Sequence, residues 1–223
     1  MSQGTLYANF RIRTWLPRAL VKSLKLDVKV LEPEKNEEEW ARLFPLKLVP
    51  CFVGPDGFKL TEQLAILRYL VSLSDDESEK SRLLGKDFVE RAKVLQWMSL
   101  ANMDLCVTFT RANFGLTGKE PYNKKKVDAA YEDLEKIVQD YELRLKDHKY
   151  LVNDEYATLG DYLSAMIFTR VFQFLLGREW REAHPELMAW FTRVTEDPLV
   201  SFLYTDVTLC EEAVQPPTKK NSH

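Results

Sequence analysis

The chain has 223 residues, of which 45% are apolar and 29% charged, a composition that can bury a real core without disulfides. Its net charge of −3 argues against a strong overall attraction to nucleic acid or to an anionic membrane. Three widely spaced cysteines, Cys51, Cys106 and Cys210, argue against a disulfide framework and point to a reducing, cytoplasmic compartment.

From the N-terminus, which has no apolar signal core, Leu6-Tyr7-Ala8 predicts a first strand. Thr14 is placed to cap a helix with Pro17 in its first turn, and Ala19, Leu20 and Leu24 follow at helical spacing. Val28-Lys29-Val30-Leu31 predicts a second strand, stopped by Pro33. Glu37-Glu38-Glu39 suits the start of a second helix, with Trp40, Leu43 and Phe44 on its apolar side. Cys51-Phe52-Val53 and Phe58-Lys59-Leu60 flank Gly54-Pro55-Asp56-Gly57, the pattern of a hairpin. Thr61 is placed to cap a helix carrying Leu64, Ile66, Tyr69 and Leu70. Residues 1–73 thus read β-α-β-α-β-β-α.

Residues 74–84 are polar and acidic and predict a linker. From 85 to 209 only helices are predicted. Phe88, Ala92, Leu95, Met98, Ala101 and Leu105 step by three and four, as do Val127, Tyr131, Leu134, Val138, Tyr141 and Leu145. Leu187, Trp190, Phe191 and Val194 give a further face. The apolar run 162–176, broken by Thr169, Arg170 and Gln173, is too short and polar to span a bilayer and reads as a buried helix. Trp97, Tyr131, Tyr141 and Trp190 are expected in the core. Residues 210–223 read as a flexible tail.

Three local signals stand out. Thr158-Leu159-Gly160-Asp161 before the buried run has the form of a capping box with Asp in the place of Glu, which stabilises by about 1 kcal/mol. Val49-Pro50 opens a strand, where a cis bond costs only about 0.5–1 kcal/mol more than trans. Both isomers stay open; the cis form turns the Val49 N–H and C=O toward a cleft, where an extended peptide can pair with them. Glu62 and Gln63 begin a helix, where backbone amides suit a carboxylate and Glu62 an ammonium, or where Glu62 is simply a capping acid. His148, His184 and His223 are isolated, with no zinc spacing. There is no phosphate-binding Gly-rich loop and no Cys-x-x-Cys. Lys124-Lys125-Lys126 reads as a solvated turn.

In this order the three signals resemble the glutathione-transferase superfamily, over nearly the whole chain to about Leu209. The resemblance implies an α/β thioredoxin-like domain followed by an all-α domain. Gly4-Thr5-Leu6-Tyr7, Phe44-Pro45-Leu46-Lys47, Trp97-Met98-Ser99-Leu100-Ala101-Asn102-Met103-Asp104, Pro121-Tyr122-Asn123-Lys124-Lys125 and Glu179-Trp180-Arg181-Glu182-Ala183-His184-Pro185 are similar to the gamma-subunit family of eukaryotic translation elongation factor 1B, in its fungal form. That family implies a scaffold that binds the guanine-nucleotide exchange subunit, and through it elongation factor 1A. It also implies a homodimer, with no required cofactor, membrane or specific nucleic acid. Pro217-Thr218-Lys219-Lys220 resembles the start of that family's lysine-rich linker.

An active glutathione transferase is the alternative the resemblance leaves open. It implies glutathione held by Lys47, Val49, Pro50, Glu62 and Gln63, with the thiol activated by Arg13, Thr14 or Tyr7. Gln63 departs from the serine or threonine usual beside the acid, and Leu48 from the usual lysine.

Overall fold

The structure, a computed structural model, describes residues 2–217. Strand β1 (Gly4–Tyr7) lies inside a four-stranded sheet ordered β2-β1-β3-β4. It pairs in parallel with β2 (Val28–Leu31), through the crossover helix α1 (Trp15–Ser23). It pairs antiparallel with β3 (Cys51–Val53), which forms a hairpin with β4 (Lys59–Leu60). Leu6 lies opposite Phe52, and Tyr7 opposite Cys51. The period-two alternation of a strand sends the first pair into the main core with Leu16, Leu20 and Ile66. The second pair goes to the other face, where Phe44 and Trp40 cover it. Helices α2 (Glu37–Leu43) and α3 (Gln63–Ser72) complete the domain.

The stretch read as a linker, 74–84, contains a helix, α4 (Glu77–Leu84). Asp76 caps it by accepting from the Glu79 N–H at 3.1 Å. It lacks an apolar period because Leu83 is its one buried residue. Gly85 then turns the chain at φ +96°, and a Cβ there would lie 2.6 Å from the Arg91 backbone nitrogen, so only glycine fits.

Helix α5 (Phe88–Ser99), a π-helical turn (Leu100–Leu105) and α6 (Cys106–Leu116) run on as one helix. Its predicted apolar face holds in the second half and is displaced in the first. Phe88 is 88% exposed, and Ala92 and Leu95 also face solvent, while Val94, Trp97, Met98, Ala101 and Leu105 are buried. Met98, Ala101 and Leu105 are buried as the spacing predicted, but in the first two turns, which carry more apolar residues than they bury, spacing alone picked the wrong row.

Helices α7 (Lys124–Leu145), α8 (Leu159–Phe174), α9 (Arg178–Glu182) and α10 (Pro185–Thr195) follow. Helix α8 is central: every residue from Leu159 to Thr169 is buried. Tyr141 packs on Trp97, Phe168 and Trp190, whereas Tyr131 is only half-buried. The lysine turn is solvated and ion-paired, Lys124 with Asp128 and Lys126 with Glu120. The capping box forms: the Thr158 side chain takes the backbone N–H of Asp161, and Asp161 Oδ2 takes the Thr158 N–H at 2.9 Å.

One apolar cluster runs through both halves, from Leu6 to Val200. Polar clamps add to it: Ser23 donates to the Leu199 carbonyl at 2.8 Å, and Arg82 donates to Tyr162 Oη at 2.7 Å and to the Ala157 carbonyl at 3.1 Å. Part of the expected flexible tail is also tied down. The Cys210 and Val214 N–H groups bond the Phe172 and Phe174 carbonyls, and buried Arg181 bridges the carbonyls of Leu176 and Cys210. The cause lies at the end of α8, whose last carbonyls have no intrahelical partner. Residues 218–223 of that tail lie outside the described residues. No helix among the described residues is long and apolar enough to cross a membrane.

Candidate functional site

The Val49–Pro50 bond is cis. With Tyr7 opposite Cys51, Val49 stands beside the loop that follows β1. Among the described residues its N–H and C=O carry no hydrogen bond. Glu62 is exposed at the N-cap position of α3, at φ +69°, with no side-chain cap. Thr61 therefore does not cap this helix. Glu62 lies close enough to act on the Cys51 thiol, so Val49, Pro50 and Glu62 share one end of the sheet.

Gln63 is only 4% exposed, and neither its Nε2 nor its Oε1 has a partner among the described residues. Leaving such a group unpaired costs about 1–3 kcal/mol. A γ-glutamyl headgroup would have to reach an amide that water itself does not touch. Lys47 adds little there: its backbone is at φ +50°, and its ammonium lies 3.6 Å from Glu37.

Two of the three candidate activators, Thr14 and Tyr7, are committed elsewhere. Thr14 neither caps α1 nor offers its hydroxyl to the cleft; it donates to the carbonyls of Asn9 at 2.6 Å and Arg11 at 2.8 Å. Tyr7 is buried edge-on against Phe44. Burial, and then the Glu39 carboxylate, raise its pKa, the reverse of what a strong donor to a thiolate requires. Arg13 is exposed and forms no ion pair within 4 Å among the described residues. No group of three or more His, Cys, Asp or Glu gathers to hold a metal among the described residues.

Reading the residues in order missed the framework of this loop. Asn9 holds it by accepting the Arg11 N–H at 3.0 Å and donating to Glu34 at 2.7 Å. The available signal was Asn two residues before a polar residue after a strand, the pattern of an Asx turn.

The nearby thiol gives a direct check. Burial pushes the Cys51 pKa up to about 11, and its Sγ donates to the Leu48 carbonyl at 2.7 Å. The thiolate is the reactive form. A chromogenic disulfide at neutral pH is expected to modify half-buried Cys210 first and Cys51 only after unfolding. Rapid native labelling of Cys51, located by mass spectrometry, would contradict this geometry.

The glutathione S-transferase N-terminal domain family matches residues 2–72, and the C-terminal domain family residues 100–198. "Elongation factor 1-gamma 1" of Saccharomyces cerevisiae is 51% identical over 97% of this chain and 52% of its own length. The crystal structure of the transferase-like domain of elongation factor 1-gamma from that yeast superposes with a TM-score of 0.92 at 50% identity, over 98% of this chain and all of that one.

The chain belongs to the elongation factor 1-gamma branch of the glutathione-transferase family.

It spans about half the length of the two yeast elongation factor 1-gamma relatives it matches, 52% and 54%. The glutathione S-transferase psoE of Aspergillus fumigatus, 31% identical over 97% of this chain and 91% of its own, is a more distant relative. In this elongation factor 1-gamma relative the shared shape is intact, while Gln63, Tyr7 and Thr14 are committed to internal packing and bonding.

Proposed function

We propose that the chain is a scaffold module of the translation elongation factor 1 complex, gripping the guanine-nucleotide exchange subunit and performing no conjugation of its own. The 51% identity to a yeast elongation factor 1-gamma carries the reading. The site supports it, because both hydroxyls able to activate a thiol are consumed inside the fold. We also infer self-association, favoured by exposed Leu95, Met103 and Val107 along one long helix, since exposed apolar surface of this kind marks interaction sites.

The test is co-purification of the chain with the N-terminal region of the exchange subunit, with sedimentation of the free chain alongside. A stable complex built on a dimer is expected; absence of any complex at micromolar concentration sinks the scaffold reading. The transferase alternative retains two supporting observations, a Val49 main chain without a hydrogen bond and an exposed Arg13 without an ion pair among the described residues. Turnover of glutathione with a chromogenic electrophile well above the uncatalysed rate, lost in Arg13→Ala, would favour that alternative.

A further inference from the structure

The loop after β1 presents an unusual surface. Phe10 is 78% exposed. Leu46 and Leu48, leading into β3, are 79% and 58% exposed. Because Tyr7 lies opposite Cys51, Phe10 and Leu48 are carried at the same end of two paired strands. Arg11, Arg13 and Arg18 are exposed on the same loop and the helix it enters. None of them forms an ion pair within 4 Å among the described residues. Glu34, the acid that acts on Arg11, is already bonded to Asn9.

This loop is rigidly framed. Thr14 donates to two of its carbonyls, the Trp15 indole N–H bonds the Phe10 carbonyl at 3.0 Å, Arg18 bonds the Asn9 carbonyl at 3.0 Å, and Asn9 takes the Arg11 N–H. A fixed loop that offers a bare aromatic ring and unpaired guanidinium groups gives up little entropy on binding. Arginine and aromatic side chains are also the residues that dominate binding energy where they are buried by a partner.

We propose that Phe10, Arg11, Arg13, Leu46 and Leu48 form a docking surface for an acidic polypeptide segment carrying apolar side chains. The charge of the surface selects the acid, and the aliphatic rim selects the apolar residues. A continuous phosphate backbone suits it less, because it supplies charge but no aliphatic side chains for the exposed Leu46 and Leu48. The surface does not depend on the scaffold reading above: any protein with such a segment is a candidate partner.

The test uses the whole chain and a short fluorescein-labelled peptide that alternates glutamate and leucine, read by anisotropy. The controls are its lysine-for-glutamate counterpart and a single-stranded oligothymidylate. The acidic peptide is expected to bind in the micromolar range and to weaken with added salt. Phe10→Ala and the double variant Arg11→Ala/Arg13→Ala are each expected to lose about tenfold in affinity, while Leu143→Ala, exposed elsewhere, changes nothing. Circular dichroism confirms that the variants fold. No binding of the acidic peptide, equal binding of the lysine peptide, tighter binding of the oligonucleotide, or unchanged affinity in the loop variants would each overturn the proposal.

Discussion

Replacing Asp161 by alanine is expected to destabilise the fold by about 3–5 kcal/mol, since each buried donor left unpaired costs about 1–3 kcal/mol and some of them can find new partners. The carboxylate is fully buried. Its Oδ1 accepts the Leu151 N–H at 2.8 Å and the Trp190 indole N–H at 3.0 Å. Its Oδ2 accepts both the N–H and the hydroxyl of Thr158 at 2.9 Å. One side chain therefore starts α8, orients Trp190 of α10 and fixes the turn before the helix. Asp161→Asn keeps one acceptor oxygen but points an NH₂ at two donors, so a smaller loss of about 2 kcal/mol is expected. Urea unfolding followed by far-ultraviolet circular dichroism measures both. A loss below about 1 kcal/mol for the alanine variant, the value of a simple cap, would mean the network is not cooperative.

Tyr141→Ala is expected to cost about 3–5 kcal/mol, the range for removing a large buried aromatic. The ring is fully buried and lies 4.9 Å, centroid to centroid, from both Trp97 and Phe168. Tyr141→Phe removes only the 2.9 Å bond to Ser164 and is expected to cost about 1 kcal/mol. The pair of variants separates packing from hydrogen bonding. Burial also raises the pKa of Tyr141, and likewise of Tyr162 and Tyr204. Above about pH 10 the unfolded chain releases these phenolic protons while the folded chain retains them. Stability is therefore full below that pH and falls as pH rises beyond it. The fall is expected to be shallower in Tyr141→Phe, and an identical alkaline slope in the two proteins would refute this account.

Local signals carried much of the fold. The hairpin was legible because Gly54-Pro55-Asp56-Gly57 dictates its own turn. The capping box was legible because its partners sit three residues apart. The cis bond at Pro50 was one of two isomers left open, and no neighbour in sequence decides between them. What depended on distant contacts was not legible. Phe88 and Leu95 belong to an apolar row as good as the buried one, and only the position of α8 decides between them. The tie between Arg181 and Cys210 joins residues 29 apart in sequence. At the site, Glu62 and Gln63 were visible as a pair, but not that the Gln63 amide is sealed inside. Thr14 had the right type and place for a cap, yet its hydroxyl turns back to Asn9, a choice made by the Asx turn before it.

The π-helical turn at Leu100–Leu105 sets the phase of the longest helical run among the described residues. An α-helix turns about 100° per residue. In an unbroken helix Val107 would therefore stand about a quarter-turn round the axis from Phe88. A π turn bonds one residue further along, so it advances less per residue and rotates everything after it back. Met103 and Val107 are thereby returned toward the line of Phe88, Ala92 and Leu95, all of them exposed. The turn works as a vernier between two helical segments, and rewinding it as plain α-helix with no residue removed would throw the outer row out of alignment while leaving each segment's own helix intact.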